Sequence, residues 1–191
     1  MASPQSLSEA YFRDVYAASD DPWHFETSAY EAEKYRATIE MLGPTPFRRG
    51  LEIGCSIGVL TGDLAACCET LVAIDIDERP LASARQRCAD RTNITFARAT
   101  VPRDVPAGTF DLVVISEVGY YWSDVDLARV RDLVVRSGAG TTVLLVHYLP
   151  RVDAYLRDGD AVHGAFLDDG RFESVRSQRA ERYRIDLLRV R

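Results

Sequence analysis

The chain predicts an α/β domain built on an open, mostly parallel seven-stranded sheet that ends in an antiparallel hairpin. Three observations carry this. Short apolar runs alternate with amphipathic stretches between Gly50 and Tyr148, the rhythm of βαβ units. Leu71 to Ile76 is apolar at nearly every position, as a parallel strand covered on both faces must be. The C-terminal runs Phe172 to Arg179 and Tyr183 to Val190 are separated only by Ala180, Glu181 and Arg182, which is too short for a crossover and suits a hairpin.

The elements follow in order. Ser8 to Tyr16 sets Ala10, Tyr11 and Val15 along one side of a short helix, which Asp20, Asp21 and Pro22 break. Thr27 or Ser28 can cap a second helix, whose Tyr30, Lys34, Tyr35, Thr38, Ile39 and Leu42 recur at three- and four-residue spacing until Gly43 and Pro44 stop it. A strand over Gly50 to Gly54 runs straight into a helix from Val59 to about Cys67. Strand Leu71 to Ile76, helix Arg79 to Ala89 and strand Ile94 to Arg98 continue the alternation. A loop with Pro102, Pro106 and Gly108 leads to strand Phe110 to Ser116, helix Asp124 to Val135, strand Thr141 to Tyr148 and a helix over Val162 to Leu167 before the hairpin. At 191 residues one domain is expected, with residues 1–45 as a helical lid and 46–191 as the sheet core.

Hydrophobic residues at 47% and charged residues at 27% are ordinary for a globular protein. The formal charge of −6 argues against nucleic acid, whose binders present a basic face to displace counterions. Lys34 is the one lysine among 23 cationic residues. Cys55, Cys67, Cys68 and Cys88 match no zinc spacing, so no metal is expected and reduced thiols are. Neither a signal-peptide pattern nor an apolar run of membrane-spanning length occurs, so no membrane partner is expected and cytoplasm is the expected compartment. A monomer or a homodimer is compatible with the pattern.

The densest motif is Leu51-Glu52-Ile53-Gly54-Cys55-Ser56-Ile57-Gly58, which places glycines at the turn between the first strand and the next helix. There the backbone must pass close to a ligand, and a side chain at Gly54 would occupy ligand space. Glu52, two positions before the first glycine, can receive the amino group of a zwitterionic ligand. Asp75, at the end of the second strand about 20 residues on, can accept from both hydroxyls of a ribose. A dinucleotide site wants G-x-G-x-x-G, and here Ser56 replaces the second glycine while the acid precedes the first. That spacing disfavours a nicotinamide oxidoreductase.

The pattern E-x-G-x-S-x-G instead resembles the motif of class I S-adenosylmethionine-dependent methyltransferases, which implies a Rossmann-like fold. The resemblance implies that Ile76, Ala99, Thr100 and Val101 surround the adenine, with Thr100 where an Asp is frequent, and that Cys55, Gly58 and Ser116 complete the cofactor site. A narrower likeness lies in Asp21-Pro22-Trp23-His24-Phe25, Ser28-Ala29-Tyr30-Glu31, Lys34-Tyr35, the glycine turn through Thr61, Ser116-Glu117-Val118, Val146-His147 and Gly159-Asp160-x-Val162-His163. These words resemble the nodulation protein S family of methyltransferases from about Ser8 to Arg189. The resemblance implies S-adenosyl-L-methionine as cofactor, S-adenosyl-L-homocysteine as product, and a small-molecule acceptor, since its best-known members N-methylate a glucosamine unit of lipo-chitooligosaccharide signals.

On the acceptor side an amine must be neutral when it attacks, which proximity, desolvation or a base within reach can supply. Glu117 and His147 end neighbouring strands at the cofactor edge. His147 is the preferred base and Glu117 the group that orients the amine or takes its proton. Tyr120 and Tyr121 are expected to line the acceptor pocket, beside Gly119 and Trp122, where the family carries Leu or Tyr. Asp160 and His163, three apart, either grip the acceptor or cap the last helix with Asp160 as N-cap. Trp23 and Tyr30, with Phe25 and Tyr35, form either core packing or a lid over the cofactor. O-methylation of a secondary metabolite and a non-catalytic S-adenosylmethionine-binding module stand as alternatives to N-methylation of an amine such as an amino sugar.

Overall fold

A computed structural model describes residues 5–191; residues 1–4 of the expected lid and of the N-terminal leader pattern lie outside them. Short polar side chains serve the free amides that open nearly every helix. Ser8 accepts from the Tyr11 amide to begin α1 (Glu9–Ala18), and Ser28 from the Glu31 amide to begin α2 (Ala29–Leu42). Asp77 and Ser123 do the same for α4 (Glu78–Arg87) and α5 (Asp124–Arg136). The cap of α6 (Gly159–Leu167) is Asp158, whose side chain accepts from the Ala161 amide, and not Asp160 as the sequence suggested. The helix starts earlier than expected, so Asp160 falls inside its first turn. Only α3 (Val59–Ala66) lacks a side-chain cap: it leaves the left-handed Gly58, φ 79°, at the end of the glycine turn.

The strands are β1 (Phe47–Ile53), β2 (Cys68–Asp75), β3 (Ile94–Arg98), β4 (Leu112–Ser116), β5 (Thr142–Tyr148), β6 (Phe172–Arg179) and β7 (Tyr183–Val190). They form one sheet in the order β3-β2-β1-β4-β5-β7-β6. The first five are parallel, β7 runs antiparallel to β5, and β6 pairs antiparallel with β7. The mostly parallel sheet with a terminal hairpin is therefore present. β1 begins three residues before the expected start because the Asp111 carboxylate accepts from the Arg48 and Arg49 amides at 2.9 and 2.7 Å, extending pairing past the apolar run.

Alternation along the central strands splits the core into two layers. Leu51, Ile53, Val113, Ile115, Val143 and Leu145 face one side, packed with Phe12 and Tyr16 of α1, α5 and Phe166 of α6. Leu112, Val114, Leu144 and Val146 face the other, packed with α2, α3 and the inner face of β7. The leader thus divides: α1 covers the first layer, while α2 sits in the second through Tyr35, Ala37, Met41 and Leu42. Strand order reverses between β1 and β4, whose ends Ile53 and Ile115 are register partners, and ligands of open α/β sheets bind outside such carboxyl ends. Among the described residues no helix is long and apolar enough to cross a membrane.

Candidate active site

A cavity of ≈ 1020 Å³ opens at that reversal point, at the upper end of the roughly 300–1,000 Å³ usual for ligand pockets. It gathers most of the residues singled out from sequence: Trp23, Tyr30, Gly54, Ser56, Asp75 and Ile76, then Ala99, Thr100, Val101, Ser116, Glu117, Tyr120 and Tyr121. Glu52, Cys55, Gly58, His147, Asp160 and His163 do not line it.

One half of the cavity is made by backbone. Gly54, φ 88°, turns the chain out of β1; a Cβ there would lie 2.3 Å from Val118 Cγ1, so the neighbouring β4 loop by itself requires a glycine. Gly58 serves helix packing, since a Cβ would meet Ala84 at 2.8 Å. Ser56 adopts φ 48°, with its amide donating to Asp75 Oδ2 at 3.0 Å and its hydroxyl 2.7 Å from the Tyr16 hydroxyl. The Asp77 amide donates to Asp75 Oδ1 at 3.1 Å. A carboxylate offers about four lone-pair sites, so Asp75 keeps acceptor capacity at the cavity wall beyond these amides. Burial raises its pKa to about 6 against the hydrogen bonds of the Asp77 and Ser56 amides. Tyr16, on the inner face of α1, was missed because its helical spacing reads as ordinary core.

Glu52 and Cys55 lie away from the expected cofactor site in this half. Alternation turns Glu52 to the α2–α3 side of the sheet, where it is 1% exposed beside Thr61 with Oε2 lacking any hydrogen-bond partner. Burial raises its pKa to about 7, and it does not reach the cavity. Cys55 packs with Ala73 and Leu81 in a small core cluster. The Thr100 hydroxyl donates to Glu9 Oε1 at 2.9 Å and its amide to Asp104 at 3.4 Å, which leaves the hydroxyl oxygen as an acceptor at the cavity wall. The Ala99 amide likewise donates to the Asp75 carbonyl.

The other half is made by side chains from distant segments. Glu117 follows β4 directly; its Oε2 accepts from the Tyr148 amide at 2.7 Å and the Tyr120 hydroxyl at 3.4 Å, and its Oε1 from the Lys34 ammonium. Lys34, 1% exposed, also pairs with Glu31 Oε2 at 2.7 Å. Burial acts to lower the Lys34 pKa, but Glu117 and Glu31 outweigh it and raise it. Burial also raises the Glu31 pKa, partly offset by Lys34. Two cavity-lining carboxylates therefore share one buried cation. Glu31 was missed, although its spacing to Lys34 placed both on one helix face.

His147 and His163 belong elsewhere. The Gly119 amide donates to His147 Nε2 at 3.1 Å, so that nitrogen carries no proton. His147 Nδ1 must then donate to His163 Nε2 at 3.2 Å, and His163 Nδ1 to Asp186 Oδ2 at 2.7 Å. Both rings are 0% exposed, and burial lowers both pKa values, that of His147 well below 6.5. With both nitrogens engaged in the core, His147 has no free lone pair for an acceptor proton. Its role is to hold the loop that carries Glu117 and Tyr120. Asp160 pairs on the surface with Arg179 and Arg184.

The architecture is that of class I methyltransferases. Residues 6–143 match the family model described as Nodulation protein S (NodS). Nodulation protein S of Sinorhizobium fredii is 35% identical over 59% of this chain and 52% of its own length, and that of Bradyrhizobium diazoefficiens 34% over 61% and 57%. The chain thus spans about half the length of the curated relatives it matches. The solved N-methyltransferase NodS of Bradyrhizobium japonicum, in complex with S-adenosyl-L-homocysteine, shares the fold with a TM-score of 0.81 at 23% identity, over 96% of this chain and 99% of that one. With a family match across most of its length and the fold to go with it, the chain belongs to the nodulation protein S family.

Proposed function

We propose that this protein is an S-adenosylmethionine-dependent methyltransferase whose acceptor is the amine of a small molecule. The remaining acceptor capacity of the Asp75 carboxylate suits ribose hydroxyls, and Ile76, Ala99 and Val101 supply walls for an adenine beside it. Gly54 and Ser116 lie where the methionine end would rest. When bound, the cofactor supplies a methyl group on a sulfonium, open to in-line displacement. The size of the cavity leaves space for a second molecule, and the formal charge of −6 disfavours nucleic acid.

The observation that carries the amine reading is the Glu31–Lys34–Glu117 triad. Two carboxylates against one ammonium leave the triad with an excess of negative charge, and an incoming alkylammonium is a group that offsets it. Glu117 then takes the proton that the amine must lose, so that the nitrogen lone pair is free to form the new N–CH₃ bond as the S–CH₃ bond breaks. The Tyr148 amide and Tyr120 hydroxyl hold Glu117 in place for that transfer. O-methylation lacks its expected base, because both nitrogens of His147 are engaged.

The family likeness makes amino sugars the first acceptors to try. The test is a competition in which labelled methyl donor is offered with glucosamine and with glucose, alongside wider matched pairs of amines and alcohols. Label on nitrogen is expected. Label appearing only on oxygen would reject the amine, and S-adenosylhomocysteine binding without any transfer would favour a non-catalytic module.

A further inference from the structure

Three arginines line the cavity, and two of them are neutralised: Arg103 pairs with Glu9 and Asp104, and Arg129 with Asp126. Arg182 differs. Among the described residues no carboxylate lies within salt-bridge distance of it. It is nevertheless flanked by two aromatic rings. The guanidinium sits 4.5 Å from the ring centre of Tyr30 and 5.3 Å from that of Tyr148, and donates to the Tyr148 hydroxyl at 3.2 Å. Its carbonyl accepts from the Leu149 amide at 2.9 Å and the Tyr30 hydroxyl at 3.2 Å, which pins the turn between β6 and β7 to the cavity mouth.

A guanidinium has five N–H donors in a planar fork, and one hydrogen bond to a phenol leaves most of that fork unused. Stacking on aromatic faces fixes its orientation in advance, which lowers the cost of gripping a planar or tetrahedral oxyanion. Tyr148 also links this group to the carboxylate pair: its amide donates to Glu117 while its hydroxyl meets Arg182. The two ends of one tyrosine therefore mark a negative and a positive pole.

We infer that Arg182 is a specificity-determining residue that binds an oxyanion, a carboxylate or a phosphate, carried by the methyl acceptor about one tyrosine length from its reacting amine. The inference rests on the amine reading above. Arg182 stands at the β5–β7 side of the cavity, whereas Asp75 and the glycine turn lie at the β1–β2 side, so the oxyanion is the acceptor's and not the cofactor's.

The test measures methyl transfer to two matched pairs, 5-aminopentanol with 5-aminopentanoate and glucosamine with glucosamine 6-phosphate, by the wild type, Arg182→Ala and Arg182→Lys. In at least one pair the anionic member is expected to have the higher kcat/KM. Arg182→Ala should lower that value at least tenfold, mainly through KM, while the neutral member stays within a factor of two and Arg182→Lys recovers part of the loss. A preference for the neutral members, or an equal loss for both, overturns the inference and leaves the amine reading standing. A tenfold weaker S-adenosylhomocysteine affinity in Arg182→Ala also overturns it, by assigning the oxyanion to the cofactor. Transfer to no amine in either pair removes the amine reading and the inference together.

Discussion

The two halves of the cavity are built in opposite ways. The donor half is a continuous stretch of chain, β1, the glycine turn and the end of β2, in which backbone amides from Ser56 and Asp77 fix one carboxylate. The acceptor half joins Lys34, Glu117 and Tyr148, residues that come from α2, the β4 loop and β5. A local backbone geometry tolerates loss of a single side chain. The buried ion triad does not tolerate loss of its one cation, because that leaves two carboxylates facing each other uncompensated.

That contrast sets the order of expected effects. Lys34→Met leaves Glu31 and Glu117 facing each other without a cation, and should lower stability by about 3–5 kcal/mol, the range for breaking a buried ion pair. Thermal unfolding would read this as a drop of roughly 2–4 °C per kcal/mol at this chain length. A melting temperature unchanged from wild type would mean that the triad is not a structural unit.

Glu52 provides the next contrast, a donor-half acid turned away from the ligand. Its pKa in the fold, about 7, lies above the ordinary 4.5, so its contribution to stability is fully present below about pH 4.5 and is lost as pH rises through 7. Asp75, at about 6 against 3.8, acts in the same direction. Glu52→Gln should therefore raise the unfolding free energy at pH 8 by on the order of 2 kcal/mol and change it little at pH 4.5. Equal effects at the two pH values would place the carboxylate in a better solvated site. The paired histidines have the opposite sign: their folded pKa values lie below 6.5, so the stability they hold is present above that value and lost as pH falls.

The smallest expected effect is on the cofactor. Asp75→Ala should weaken S-adenosylhomocysteine binding by at least ~1 kcal/mol, about fivefold, because hydrogen bonds to a charged acceptor are lost. Unchanged affinity by calorimetry would reject the ribose role.

The same contrast decided what could be read from the sequence. The strand and helix alternation, the terminal hairpin and the glycine turn depend on local pattern, so all were legible, and the place of Asp75 at the cavity wall followed from its distance beyond Gly54. Glu52 misled because the motif gives its position but not which face of β1 it occupies; strand alternation put it under α3. His147 misled for a related reason. A histidine at a strand end reads as a base until its partners are known, and those partners, His163 and Asp186, lie on α6 and β7. Arg182 carried no signal at all, since a turn arginine reads as solvated surface until Tyr30 and Tyr148 are seen to flank it.

Glu117 is proposed to receive the acceptor proton on an amine-binding wall distinct from the cofactor site. The most direct test of this role compares Glu117→Gln with wild type in labelled methyl transfer to whichever amine the wild type accepts, with S-adenosylhomocysteine affinity measured on the same preparations. A fall in kcat of roughly 100-fold or more, the scale of general acid–base catalysis, with the dissociation constant within a factor of two, is expected. Turnover equal to wild type across pH, or a matching loss of cofactor affinity, would contradict it.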